Sequence, residues 1–377
     1  MINTKHFFDE LHKSDLSFYA GVPDSLLKDF CAYVSDNALK NHHFITANEG
    51  AAIALASGYY LATQKIPLVY LQNSGIGNII NPLVSLADPE VYSIPMLLMI
   101  GWRGEPGVKD EPQHIKQGRI QNNLLETLEV PYFILDPHSN HFENIIRDAV
   151  TTAKQKMCPV AIIVKSGTFE EYKLINKNPD LDYNLSREDA ISTILEGIDD
   201  DYVVVSTTGK ASREVFEVRK NKPNGNYIDF LTVGSMGHAN QIALGVALFT
   251  KKRVVCLDGD GAILMHMGSL AINGTSTANN LIHIVLNNSS HESVGGQPTV
   301  GNSIDFNQIA KACRFDYCKT INNKEELVAE IQNIKKIEKK IFLEIKINLN
   351  SRANLSRPDK TPKENKETFM KRLRDEK

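Results

Sequence analysis

The chain has 377 residues, 42% hydrophobic and 23% charged, with a formal net charge of −3 at pH 7. This balance excludes a disordered or collagen-like chain, and its scattered basic residues offer no extended cationic surface for nucleic acid. The length favours about two globular domains, with a small molecule as the expected partner.

The N-terminal segment MINTKHFFDELHKSDLSFYAGVPD carries early acidic residues and no long apolar core, so it reads as neither a signal nor a transit peptide. The five cysteines, Cys31, Cys158, Cys256, Cys313 and Cys318, form an odd set without paired zinc spacing. That pattern opposes a disulfide framework or a structural zinc, and free thiols fit a cytoplasmic location. The longest apolar stretches, residues 94–100 and 281–286, fall far short of the ~20 needed to span a bilayer. No membrane partner is expected.

Through the first half, the runs PLVYL, IPMLLMI, PYFIL and PVAIIV alternate with helical patterns, which predicts βαβ units around a parallel sheet. Residues 170–187 lose that periodicity and read as a linker, with Ser186 as a cap for the next helix. The same grammar then returns in DDYVVVSTTG, RVVCLDGDG and LIHIVLNN. The final residues, 351–377, are charged and poor in apolar side chains, which reads as a solvated tail with one amphipathic turn near Phe369.

The most informative stretch is a strand, the turn Gly259-Asp260-Gly261, a helix, a second strand and then Asn287-Asn288. Ligands collect at the carboxyl ends of parallel strands, so Asp260 and Asn288 are expected to converge. One carboxylate and one amide suit a hard cation such as Mg²⁺, which completes its shell with phosphate oxygens and water. The glycines permit a tight turn and close approach of a phosphate, and the helix N-terminus adds amide donors. A plain strand-to-helix turn is the competing reading. An EF-hand lacks its later ligands at Ala262 and Ser269, and a dinucleotide loop lacks a third glycine where Leu264 stands. Asp258 is expected to support the turn or the metal shell, and His266 to be a packed histidine. A second constellation, Thr46-Ala47-Asn48-Glu49-Gly50, precedes an alanine-rich segment. Taken alone, Asn48 is a helix cap and Glu49 a first-turn carboxylate.

The pairing of GDG with a downstream NN resembles the signature of thiamine diphosphate enzymes, and NEG resembles the segment that carries their activating glutamate. The resemblance implies Asp260, Asn288 and the Ser290 carbonyl as Mg²⁺ ligands, with Thr208, Gly209, Gly259 and Gly261 also at the cofactor. It makes Glu49 the catalytic residue, sharing a proton with the cofactor's aminopyrimidine ring so that the ylide can form. In FLTVGSMGHANQIALG it implies that Met236 props the bent cofactor, against the plainer reading as core filler, and that the Gly234 carbonyl accepts from the exocyclic amine. The implied fold is α/β: two thiamine diphosphate-binding domains, each a parallel sheet flanked by helices, without a middle domain. Residues 1–175 would bind the pyrimidine, 176–187 link, and 188–350 bind diphosphate and Mg²⁺. Related enzymes build one site from domains of different subunits, which implies a homodimer or larger oligomer.

The segments GVPDSLLKDF, LQNSGIGNIINPLVSLADP, IGWRGEPGVKDEPQH, STTGKASREVFEVR, VGSMGHANQIALG and NNSSHESVGGQPT together resemble the phosphonopyruvate decarboxylase family. The implied reaction converts 3-phosphonopyruvate to 2-phosphonoacetaldehyde and CO₂, a step toward phosphonates such as 2-aminoethylphosphonate. Sulfopyruvate decarboxylase, a carboligating synthase and a noncatalytic relative of the fold are the competing readings. Retention of Glu49, Asp260 and Asn288 opposes the last. Candidates for holding the anionic 2-oxo acid are Asp24, Ser25, Arg103, Lys109 and His114, with Lys210 and Arg213 further along. Asp24 and Ser25 are equally readable as a helix cap, and loop charges as solvated. Residues 102–114 form a long Gly/Pro-punctuated loop of the kind that covers a site.

Overall fold

Strands that are apolar at every position need cover on both faces, and the first half of the chain provides it. In β4 (Met96–Gly101) and β6 (Pro159–Val164) every residue is buried. Alternate residues of β4 enter different cores: Leu97 and Met99 pack on one face, and Met96, Leu98 and Ile100 on the other. The computed structural model describes residues 1–176, 183–221, 227–349, 351–352 and 354–374. They form two compact units, one of Met1–Lys177 and His291–Gln297, the other of Asn178–Ser290 and Pro298–Lys377.

The first unit's sheet also contains β1 (Tyr19–Gly21), β2 (His43–Ile45), β3 (Leu68–Gln72) and β5 (Tyr132–Leu135). Its order is β2-β1-β3-β4-β6-β5, with all pairings parallel. The helix Phe142–Lys156 buries Phe142, Ile146, Ala149, Val150 and Ala153 at helical spacing against one face. The small-residue helix Glu49–Thr63 presents Ala52, Ile53 and Ala56 to the other.

The second unit repeats the architecture with β7 (Val203–Ser206), β8 (Ile228–Leu231), β9 (Val254–Gly259), β10 (Leu281–Asn287), β11 (Tyr317–Ile321) and β12 (Ile341–Lys346). The order is β11-β12-β10-β9-β7-β8, again all parallel. Ser186 caps the helix Arg187–Gly197 by accepting from the Asp189 amide at 3.0 Å. Half of the proposed 176–187 linker, residues 177–182, lies outside the described residues.

The C-terminal segment is not simply solvated. Residues Pro362–Arg374 form a helix whose Phe369 is 7% exposed and packs edge-on to Phe230 at 5.4 Å. Asn365 accepts from the Leu231 amide and donates to the Asp229 carbonyl, both at 3.2 Å, so the helix covers edge strand β8. Leu373 packs beside Phe369, and Arg372 Nη1 donates to the Tyr227 carbonyl at 2.5 Å, so a short apolar stripe and a few backbone contacts dock an otherwise charged helix. Residues 353 and 375–377 of that segment lie outside the described residues. Among the described residues no helix is long and apolar enough to cross a membrane, and all five cysteines are free.

Candidate active site

In the second unit, register brings the two motif ends together. Val285 pairs with Asp258 and Leu286 with Gly259, so Asn288 leaves β10 beside the Gly-Asp-Gly turn that ends β9. Asp260, 2% exposed, opens the helix Asp260–Met265, and its carboxylate accepts from the Asn288 backbone amide and the Thr299 hydroxyl. Burial pushes its pKa up to about 6, against the Thr299 and amide hydrogen bonds that lower it. A buried carboxylate so placed gains most from a cation. Asn288 is buried, and its side-chain oxygen accepts from the Ser290 amide at 3.1 Å. Behind the turn, Asp258 accepts from the Gly259 amide at 3.0 Å and pairs with His283 Nε2 at 3.3 Å. His266 packs against the His238 ring, with centroids 4.4 Å apart.

The donor set fits a magnesium-bound diphosphate. Asp260, Asn288 and Ser290 offer only oxygen ligands, and the space where a Cβ would stand on Gly259 or Gly209 is open. Thr207 Oγ1, beside Thr208, is buried without a hydrogen-bond partner. Gly209 has φ +91° and Gly237 φ +87°, backbone that disfavours a side chain. Gly234 is half-buried, and Met236 is 36% exposed, a position unlike that of a core filler.

In the first unit, Asn48 caps the helix Glu49–Thr63 by accepting from the Ala51 amide at 3.0 Å. Glu49 follows at 5% exposure, its Oε2 accepting from Asn78 Nδ2 at 2.7 Å. Gly75 packs so closely on this carboxylate that a Cβ there would overlap it. The carboxyl group is thus oriented by an amide and a glycine wall, which suits a group required to hold one proton in one place.

Other candidates of this unit gather where strands end. Asp24 is fully buried after β1, accepting from Gln72 Nε2 at 2.6 Å and the Leu26 amide at 3.1 Å. Burial raises its pKa, although Gln72 and Arg103 act the other way. Ser25 Oγ accepts from Arg103 Nη1 at 2.8 Å. Arg103 is also forked onto Asp110, through Nε at 2.8 Å and through Nη2, and Asp110 further accepts from the Gly104 and Glu111 amides, both at 2.7 Å. Burial by itself would raise the Asp110 pKa, but these bonds hold it well below the usual carboxylate range. Arg103 therefore enters the site already charge-matched, which its sequence position alone does not reveal. His114 is half-buried, its pKa lowered by burial and by Arg103, and its Nδ1 lacks a hydrogen-bond partner. Lys109 stands exposed on the loop. In the second unit, Lys210 donates to Ser351 Oγ and Arg213 is half-buried.

Residues 3–126 match the thiamine pyrophosphate enzyme N-terminal TPP binding domain, and residues 207–345 match the C-terminal TPP binding domain. The chain is 32% identical to a phosphonopyruvate decarboxylase of Streptomyces viridochromogenes, over 92% of this chain and 88% of that protein. A phosphonopyruvate decarboxylase of Streptomyces hygroscopicus is 31% identical over 97% of this chain and 92% of its own length. The chain belongs to the phosphonopyruvate decarboxylase family of thiamine diphosphate enzymes. A sulfopyruvate decarboxylase of Methanosarcina acetivorans is 26% identical, with 95% of each chain covered.

As a family member, the chain carries site neighbours that its motifs do not announce. Asp110, Gln72 and Asn78 matter only through the side chains they hold, and Asn287, Thr299 and Gly301 are joined to Asp260 by tertiary contacts. For Thr299 the sole sequence signal is its place in the family-like segment NNSSHESVGGQPT.

Proposed function

We propose that this chain decarboxylates 3-phosphonopyruvate to 2-phosphonoacetaldehyde and CO₂ with thiamine diphosphate and Mg²⁺, in the biosynthesis of 2-aminoethylphosphonate-type compounds. The observation that carries this reading is similarity along nearly the whole chain to two phosphonopyruvate decarboxylases, at 32% and 31% identity, against 26% for the sulfopyruvate enzyme. The substrate's C1–C2 bond breaks, CO₂ leaves, and C2 keeps the electron pair until it takes a proton to become the aldehyde carbon. Thiamine diphosphate supplies the carbon nucleophile and the temporary electron sink.

The protein's part is to hold and orient. Asp260, Asn288 Oδ1 and the Ser290 carbonyl would hold Mg²⁺, while Thr208, Gly209, Gly259 and Gly261 would lie at the diphosphate. Glu49 would hold a proton at the aminopyrimidine ring, the Gly234 carbonyl would accept from its amine, and Met236 would pack against the bound cofactor. Within the first unit, Arg103, with Ser25 and Asp110 fixing its plane, His114 Nδ1 and Lys109 hold the substrate's distal anion, and Lys210 and Arg213 are the cationic candidates of the second unit. Asp24 orders the first of these loops through the Leu26 amide. Self-association into a homodimer or larger oligomer belongs to the same reading, and light scattering tests it.

Sulfopyruvate is the second reading, because a sulfonate offers the same tetrahedral oxygens to the same donors. The deciding assay gives purified protein, thiamine diphosphate and Mg²⁺ each of phosphonopyruvate, sulfopyruvate and pyruvate. Phosphonopyruvate is expected to give the highest kcat/KM, and a preference for sulfopyruvate would reassign the substrate.

A further inference from the structure

The loop that returns from the candidate metal ligands closes on Asp260. The Thr299 amide donates to the Ser289 carbonyl at 2.9 Å, which seats Thr299 beside the turn. Its hydroxyl donates to Asp260 Oδ2 and accepts from the Gly301 amide at 3.1 Å. The Gly301 carbonyl in turn accepts from Asn287 Nδ2 at 2.8 Å. A Cβ on Gly301 would stand 2.6 Å from Asn287 Oδ1 and 2.9 Å from Asp260 Oδ2, so only glycine lets this segment come so near. Asn287 is itself anchored, donating to Glu344 Oε1 at 2.7 Å, and Glu344 pairs with Lys346 at 2.6 Å. The hydroxyl touching Asp260 is thus the near end of a chain of bonds that runs back to β12.

We propose that Thr299 is a positioning residue for the bound cation, setting the rotation of the Asp260 carboxylate through its hydroxyl. The proposal rests on the reading of Asp260 as a Mg²⁺ ligand. A carboxylate gripped on one oxygen meets the cation in one orientation, and the small, octahedral Mg²⁺ tolerates misplaced ligands poorly. Without the hydroxyl, the carboxylate keeps only its backbone amide bonds, from Asn288, Gly261 and its own residue, and more of its ordering falls to the cation. The threonine acts through Asp260 and has no part in the bond-breaking chemistry.

The test is calorimetric titration of Mg²⁺ into wild type, Thr299→Val, Thr299→Ser and Asp260→Asn, each with saturating thiamine diphosphate, alongside melting curves of the cofactor-free proteins. Valine keeps the shape and removes the hydroxyl, so its Mg²⁺ affinity should fall roughly ten- to hundredfold, as for other outer-shell substitutions. Its cofactor-free melting temperature should stay close to wild type. Serine, which restores the hydroxyl, should recover most of the affinity. If the valine protein does not fold, Thr299→Ala removes the same hydroxyl from a smaller side chain and gives the same comparison. Wild-type affinity in the valine or alanine variant, or a serine variant as weak as valine, overturns the role of Thr299 while leaving the metal site in place. Absence of Mg²⁺ uptake by the wild type, or its full retention in Asp260→Asn, overturns this proposal together with the reading beneath it.

Discussion

Replacing Asp110 with Asn should loosen the loop over residues 102–111, which is shorter than expected because residues 112–114 open the helix Pro112–Thr127, without disturbing the sheet beneath it. The carboxylate accepts four hydrogen bonds, two from Arg103 and one each from the Gly104 and Glu111 amides, with 12% of the side chain exposed against 20% for Arg103. The amide keeps one acceptor oxygen but turns an NH₂ group toward donors and removes the charge that matches the guanidinium. Charge-assisted bonds contribute ~1.5–3 kcal/mol each, and losing about two of them at a site still partly open to water gives a net loss of ~2–4 kcal/mol. The sign with pH follows from the lowered pKa. The contribution is present above the unfolded value of about 3.9 and is lost as pH falls toward the folded one, so the difference between variant and wild type should be flat from pH 6 to 8 and shrink only in acid. Hydrogen exchange at the Gly104 and Glu111 amides reads the loop directly, and a double-mutant cycle with Arg103→Gln isolates the pair. A coupling below about 0.5 kcal/mol, with both amides as protected as in wild type, would refute the clasp. The same variants separate structure from recognition. If Arg103 only shapes the loop, Asp110→Asn and Arg103→Gln should raise the Michaelis constant for phosphonopyruvate equally, whereas a larger effect of Arg103→Gln marks direct contact.

Asp260→Ala should abolish Mg²⁺-dependent cofactor binding, and calorimetry showing wild-type affinity would remove Asp260 from the metal shell. Glu49→Gln should leave cofactor binding nearly intact while slowing deuterium exchange at the thiazolium carbon, and an unchanged exchange rate would sink the assigned proton-sharing role. Phe369→Ala should destabilise the second unit by ~3 kcal/mol, because the ring is buried against β8 and its neighbours, with a urea midpoint equal to wild type as the contrary result.

The architecture and both candidate cofactor motifs were legible because each depends on local order. Unbroken apolar runs such as PVAIIV demand a sheet covered on both faces, and a strand followed by Gly-Asp-Gly must turn at its carboxyl end. Five strands, β1, β2, β8, β11 and β12, lie outside the runs quoted as strand signals. Of these, β1 and β2 have only three residues each, too few to show a period. The amphipathic turn around Phe369 was visible, but not that β8 would receive it, because docking depends on which edge the folded sheet leaves open.

By itself, the sequence determined the two α/β domains and the residue types suited to thiamine diphosphate. Tertiary structure alone decided which charges are spoken for and which neighbours serve the ligands. Arg103 meets Asp110 only when the Gly/Pro-rich loop closes, and Thr299 reaches Asp260 only when the chain folds back beside Ser289. A hydrogen bond is short and directional, so its partner is chosen by the final position of two groups in space, and spacing along the chain carries no record of that choice.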